Sequence, residues 1–545
     1  MKNGEIILCK GIKLDKNYEN VLSYSESNMV TLCRNNKIAE SNKYHILDPI
    51  RGEMDVALPY ASCIYANYIA FKNPNVGNKW YFAFVNNVEY VNPATTKIHY
   101  QVDVFSTWYS KFNVGQAFIE REHVDDDTKG KHIVDEGLEI GDLVIRDKVK
   151  SLDDYQEFCI VMGVTQLPGN YSGVTLPLDR QYNSVYSGLI YLVPSTPSDA
   201  SKIIEMYEYQ EQGDAIVEIF MYYLTNDISS ATEYTMTHAI SGTSAKLKFI
   251  PTSNLEDTIT SSLKIYQPAD LDGYTPKNNK MFTSPYCFIN ADNNAGIVQQ
   301  YKWELLHNNI ESLTNKVYAG FNIISCVCPG GSAKAIPQNY YATYADTGGV
   351  GGGNYMYSIP LAKLPACSWL SDTYTNWLTQ NGIASTGIGS SLLSVGGGIL
   401  TQNYIGVAVG FAGILSAISE IKDRKNAPDI VKGNVNSGDI NYAFQGEGGF
   451  NLYNMTLTYS YAKRIDEFFS RFGYKVNEIK TPSLNSRTKF NFIKVGGNDE
   501  LISGDIPAAD LEQINAIFRK GTTIFHDYST FGDYLQTNSI ITPTP

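Results

Sequence analysis

Strict alternation of apolar and polar side chains marks the first 125 residues. From Lys97 to Val104, the side chains Ile98, Tyr100, Val102 and Val104 fall on one face and His99, Gln101 and Asp103 on the other, the period-two pattern of a half-buried strand. Lys79 to Val91 is a second aromatic and β-branched run, and Asn92-Pro93-Ala94-Thr95 supplies turn chemistry between them, so the pair reads as a long hairpin. The period lengthens from Ser198 to Gln212, where Ile203, Met206 and Tyr207 stand at helical spacing, with Ser198 as N-cap and Gly213 at the C-cap position. The rest of the middle returns to a β pattern dense in Tyr, Thr and Asn. Tyr453, Met455, Leu457 and Tyr459 alternate with polar neighbours and lead into a predicted helix from Tyr461 to Phe472. Its stripe is Ile465, Phe468, Phe469 and Phe472, and Gly473 stops it. A second helix is predicted from Pro507 to Lys520, with Leu511, Ile514, Ile517 and Phe518 as its apolar stripe and Gly521 ending it before the short run Thr522 to Phe525. The expected class is α+β, β-dominated and multi-domain.

One stretch departs from all of these patterns. Thr373 to Ser419 holds no Asp, Glu, Lys, Arg or His in 47 residues, nine of them Gly, where the chain's 18% charge leads one to expect about eight charges. Two apolar segments, Ile383 to Leu400 and Tyr404 to Ile421, flank the polar triplet Thr401-Gln402-Asn403. As helices each would span ~27 Å, against a hydrocarbon core of ~30 Å. The candidate membrane-insertion residues are Ile383, Leu392, Leu393, Val395, Ile399 and Leu400 in the first segment, with Tyr404, Ile405, Val407, Val409, Phe411, Ile414, Leu415 and Ile418 in the second. Gly406 and Gly410 add the small-xxx-small spacing that lets helices approach closely in lipid. From the residues alone two readings stand: a buried or Gly-rich core loop, or a segment that enters a membrane only when triggered. Charge returns at once in Glu420, Lys422, Asp423, Arg424 and Lys425.

Composition narrows the function. With 545 residues, 39 Tyr and 23 Phe, the chain is long and aromatic enough to bury real cores. Its 43 basic against 56 acidic residues give a net charge of −13, which opposes stable binding to a phosphate backbone. Met1 to Lys10 carries only the short apolar run Ile6 to Cys9, less than the core of a secretory signal. The eight cysteines form no C-x-x-C pair, so buried thiols made in a reducing compartment are expected. Gly348 to Gly353 lacks the Lys-Ser/Thr end of a phosphate loop, and Asp270, Asp272 and Gly273 lack the closing Glu of a calcium loop. His123 and His132 flank Asp125-Asp126-Asp127 at a spacing that fits no defined metal site, and a charged surface loop is the reading there. No G-x-S-x-G elbow or H-E-x-x-H helix occurs, so neither catalysis nor a cofactor is expected.

An ordered set of motifs then stands out at the two ends. In the N-terminal part it comprises Gly77 to Val85, Asp103-Val104 with Trp108, Phe118-Ile119, Arg121 to Val124 and Asp135 to Leu138. Towards the C-terminus it comprises Phe468-Phe469, Phe472 to Lys475, Lys489 to Asn491, Ile502 to Ile506, and Gly521 with His526. This set resembles the tail knob proteins of short-tailed phi29-like phages, over about 200 residues; the middle, from about 150 to 365, does not share it. The resemblance implies a non-enzymatic virion protein made in the host cytoplasm. It implies β-barrel or β-sandwich-like tube domains in a homohexameric ring that joins the proximal tail tube or connector and passes genomic DNA without holding it. It also implies that a hydrophobic loop plugs the tube and then forms a pore in the host cytoplasmic membrane, a role for which Thr373 to Ser419 is correctly placed. The division expected is 1–150 and 441–545 as the two parts of a tube domain, 151–365 as inserted β-rich domains, and 366–440 as the membrane-active loop. A free pore-forming toxin and a tail-associated wall hydrolase are the alternatives.

Overall fold

The computed structural model describes residues 2–48, 51–72, 78–150, 158–176, 181–182, 185–186, 188–224, 226–250, 256–293, 296–306, 310–326, 333–341, 357–360, 366–368, 434–435 and 451–541. The described chain is β-dominated with a few amphipathic helices, as the patterning predicts. It divides into two compact units, each assembled from separated pieces of sequence. One comprises residues 1–141, 274–281 and 459–545, the other 142–273 and 282–458.

The first unit begins as a closed six-stranded barrel in the order Lys2–Cys9, Lys37–Asp48, Glu53–Val56, Thr95–Val102, Trp80–Asn92, Tyr68–Lys72. Ile6, Leu8, Met54, Ile69 and Ile98 are fully buried, and Phe71 and Tyr100 nearly so. At this strand number side chains fill the interior, so the barrel is a packed core and not a pore. The expected hairpin is present, with Glu89 opposite Lys97 and Asn92 opposite Thr95. Its second strand ends at Val102, two residues before the alternation suggested. There Asp103 turns inward, and its Oδ1 accepts from Ser106 N at 3.1 Å to cap the short helix Val104–Trp108. Tyr68 donates to its other oxygen at 2.7 Å.

Beside the barrel lies a five-stranded sheet in the order Asn20–Leu22, Thr522–Phe525, Phe490–Val495, Ala117–Glu122, Tyr474–Lys480. Both chain ends contribute to it, which accounts for the position of the terminal motifs in sequence. Strand alternation gives it two distinct faces. Phe490, Phe492 and Phe525 share one, where Phe472 of the helix Tyr459–Phe472 meets Phe492 at 5.2 Å between ring centres. Ile493, Val495 and Thr522 are buried on the other. The helix Ala508–Lys520 packs on the Phe490–Val495 strand, and its Phe518 approaches Phe105. Both helices pack on this sheet.

Gly473 ends the first helix as expected, in the left-handed region at φ 65°, with its N–H on Phe469 O at 2.8 Å. A Cβ there would lie 2.0 Å from Glu122 O, so both conformation and space require glycine. The helix stripe is rotated from the prediction. Ala462, Ile465, Asp466 and Phe469 are buried, while Phe468 and Phe472 are half-buried.

In the second unit, three antiparallel sheets dominate. The largest has eight strands and includes Phe158–Val164, Ile190–Pro194, Ile216–Tyr223 and Ser244–Phe249. The helix Pro197–Tyr209 packs against it. Its start is set by Thr196 and not by Ser198: Thr196 Oγ1 accepts from Asp199 N at 3.1 Å and donates to the Asp199 carboxylate at 2.6 Å. The helix also stops before Gly213, which opens a short 3-10 turn. A four-stranded sheet contains Leu143–Lys150 and Asn451–Leu457, and another contains Glu256–Tyr266 and Tyr318–Cys326. The Asp270–Gly273 segment is a turn, in which Asp270 accepts from Gly273 N and is held by both Nε and Nη2 of Arg146.

Candidate functional site

Chemistry concentrates in the first unit, where residues 274–281 meet the Tyr459–Phe472 helix. Asp466 is fully buried on the helix's inner stripe. Its carboxylate accepts from Tyr274 Oη at 2.9 Å, Lys277 N at 2.9 Å, Asn278 N at 3.1 Å and Asn278 Nδ2 at 2.9 Å. Each bond offsets part of the cost of removing a carboxylate from water. Asn278 also reaches Ser470 Oγ at 2.9 Å, so the eight-residue return is gripped along its length.

Glu136 forms a second node. Its carboxylate, fully enclosed, takes ion pairs from Arg121 and Lys280 and a bond from Lys475 N at 2.9 Å. Burial pulls the Lys280 ammonium below its ordinary value, while Glu136 acts against that shift. A third node is Asp127, accepting from Tyr474 Oη at 2.6 Å and Asn279 N at 3.1 Å. Burial raises its carboxyl despite those bonds.

His123 belongs to this network, which corrects the reading of His123 to His132 as a charged surface loop. It is 3% exposed. Phe492 N donates to its Nδ1 at 2.7 Å, which places the ring proton on Nε2, directed to Ser470 O at 3.2 Å. Burial, reinforced by the Arg487 charge, holds its pKa down to about 3, so it is neutral. Asp126 and Lys131 do form the surface pair expected of such a loop, at 2.7 Å. Among the described residues no cluster of three His, Cys, Asp or Glu can hold a metal ion. Cys9, Cys33, Cys63, Cys159 and Cys287 are buried.

On the outer side of the same helix runs a groove of about 650 Å³ lined by Lys463, Arg464, Phe468, Arg471, Phe472 and Tyr534, among others. Arg471 stacks its guanidinium 4.4 Å from the Tyr534 ring centre and 4.9 Å from that of Phe472. Leu535 at its rim is 80% exposed.

The terminal motifs come together in this unit. Arg121 Nη1 donates to Gly473 O at 2.8 Å, His526 Nε2 stands 3.0 Å from Asn491 Oδ1, and Trp108 Nε1 donates to Asp510 Oδ2 at 2.8 Å. Sequence patterning missed Asp466, although a carboxylate on the buried stripe of a helix was a visible anomaly. Glu136, Asp127 and Arg487 gave no such signal, because each is completed by a partner more than a hundred residues away, Lys280 for Glu136, Asn279 for Asp127 and Val124 O for Arg487. The predicted membrane-insertion residues from Ile383 to Ile418, and Gly348 to Gly353, lie outside the described residues. No helix among the described residues is long and apolar enough to cross a membrane.

Comparison with known proteins fits this architecture. A family model described as the C-terminal domain of Bacillus phage phi29 tail knob protein gp9 matches residues 247–539. A second, the N-terminus of caudoviral major tail proteins, matches residues 2–113. Tail knob protein gp9 of Bacillus phage phi29 is 26% identical over 556 residues, covering 89% of this chain and 90% of the relative. The gp9 of Bacillus phage PZA is 26% identical over 547 residues, covering 87% and 88%. The likeness thus runs well into the middle of the chain, beyond the two ends where the motifs lie. In fold, the bacteriophage C1 tail knob protein gp12 superposes with a TM-score of 0.58 at 12% identity, covering 99% of this chain and 100% of that one. The chain belongs to the phi29-type tail knob family, whose members are structural, non-enzymatic proteins of phage tails.

Proposed function

We propose that this tail protein assembles as a homohexameric ring at the distal end of a phage tail, through which genomic DNA passes during ejection. In this reading residues 1–150 and 441–545 build the tube wall, 151–365 form inserted domains, and 366–440 form a loop that plugs the tube and later enters the host cytoplasmic membrane. The protein is made in the host cytoplasm and joins the proximal tail tube or connector. The observation that carries the reading is the charge-free stretch Thr373 to Ser419 inside a member of this family. Six exposed copies would present far more than the few hundred Å² of apolar patch that a soluble surface tolerates, so the stretch needs shelter before use. A tube lumen supplies that shelter, and emptying the tube releases it.

Two further features support a conduit between subunits. The barrel of each chain is filled by its own side chains, so any passage for DNA runs between copies. The net charge of −13 suits a wall that is acidic or neutral, past which a phosphate backbone slides without retention. Negative-stain microscopy of the purified chain tests assembly, with six-fold hollow rings expected. Dye-loaded liposomes test the loop: deletion of Ile383 to Ile418 abolishes triggered leakage. Unchanged leakage after that deletion rules out the membrane role.

A further inference from the structure

The groove on the Tyr459–Phe472 helix gathers positive charge that has no acidic partner among the described residues. Lys277, Lys463, Arg464 and Arg471 line it, and none has a carboxylate within ion-pair distance among the described residues. The acidic residues of the lining are Glu139, Glu467 and Asp466, the last already saturated by its four hydrogen bonds. Phe468 and Phe472, half-buried, and Leu535 give the groove an apolar floor and rim. A face that combines apolar contact with unpaired cations fits a protein segment that is acidic and carries small apolar side chains.

The same unit holds such a segment. From Val495 to Phe518 there are five carboxylates, at Asp499, Glu500, Asp505, Asp510 and Glu512, and no Lys, Arg or His. Asp510 is engaged by Trp108, Glu512 by Arg519, and Asp499 by Phe118 N at 2.8 Å, which anchors the loop to the sheet. Glu500 and Asp505 are exposed and have no cation among the described residues, and Pro507, Ala508 and Ala509 beside them are exposed as well. This segment enters the helix Ala508–Lys520 and contributes no residue to the groove. A subunit that carries two different, complementary surfaces meets its copies head to tail, the heterologous contact that closes into a ring when the rotation allows.

We infer that the basic groove around Arg464 and Arg471 receives the acidic Glu500–Ala509 segment of the neighbouring copy of this chain. The inference rests on the ring assembly proposed above and names the surfaces that build it. The test is a charge exchange in the full-length chain, read by light scattering and negative-stain microscopy. Arg464→Glu with Arg471→Glu, and separately Glu500→Lys with Asp505→Lys, are each expected to raise the concentration needed for assembly by about tenfold or more, because like charges then face each other. All four substitutions together restore assembly, a rescue that a folding defect would not give. Wild-type rings with both exchanged variants assembling normally overturn this inference and leave the ring intact. A wild-type chain that stays monomeric overturns the ring, and this contact with it.

Discussion

The buried junction of the first unit and the stretch from Thr373 to Ser419 solve opposite problems with charge. In the junction, Glu136, Asp466 and Asp127 are taken out of water and matched by partners from distant parts of the chain. The stretch contains no charge to match. A network of buried, mutually satisfied ions is costly to open, because removing one partner strands the other. An uncharged segment carries no such penalty and can exchange one apolar environment for another. The contrast suits a rigid wall with a movable part, and it can be attacked from either side.

The largest effect is expected at Glu136. Replacement by Ala leaves Arg121 and Lys280 facing each other across an emptied site, with Lys280 almost fully enclosed. Breaking a buried pair in this way costs about 3–5 kcal/mol. Chemical denaturation of Glu136→Ala is expected to show that loss. A decrease under about 1 kcal/mol would mean that water reaches the junction and the matching contributes little.

The stretch is tested in the reverse sense, by adding a charge. Val409→Asp lies mid-way along the second apolar segment. On the insertion scale it costs roughly 2.5–3.5 kcal/mol per copy in lipid. On the proposed reading, liposome leakage falls steeply while ring formation persists, because the tube wall and not this stretch makes the contacts between copies. Equal loss of assembly and leakage would identify the segment as part of the core.

These two regions also differ in how far they can be read from sequence. The helix stops at Gly473 and Gly521, the hairpin and the uncharged stretch are all local signals, since each depends on residues within a few positions of one another. The start of the Pro197–Tyr209 helix was displaced because Thr196 and Ser198 are both competent caps, and only Thr196 has Asp199 three residues on to reciprocate. Asp103 breaks the strand alternation for a similar reason: a capping carboxylate with a tyrosine donor is stable inside, whereas alternation alone places it outside. The junction was illegible because its chemistry is assembled in space. His123 looks like part of an acidic loop until Phe492 N, 369 residues away, is seen to occupy its Nδ1.

That histidine supplies the smallest of the expected effects and the one with a defined pH window. Its folded pKa of about 3 lies below the unfolded value of 6.5, with burial as the main cause. For a depressed base, the contribution to stability is complete above the unfolded pKa and is lost as pH falls from 6.5 toward 3. At pH 5 the loss is about 2 kcal/mol, one and a half pH units at ~1.36 kcal/mol each. His132 and His526 in the same unit are lowered by burial too and act with the same sign. Glu122 and Asp127 act with the opposite sign, because burial raises them and protonation then favours the folded state. In His123→Gln the side-chain oxygen can still accept from Phe492 N, while the titrating group is gone. Thermal unfolding of the two proteins between pH 7 and pH 5 separates the contributions. The wild type is expected to lose more stability over that interval than the variant, by up to about 2 kcal/mol. Parallel slopes would show that His123 already binds its proton in the folded chain, and that Phe492 N donates elsewhere.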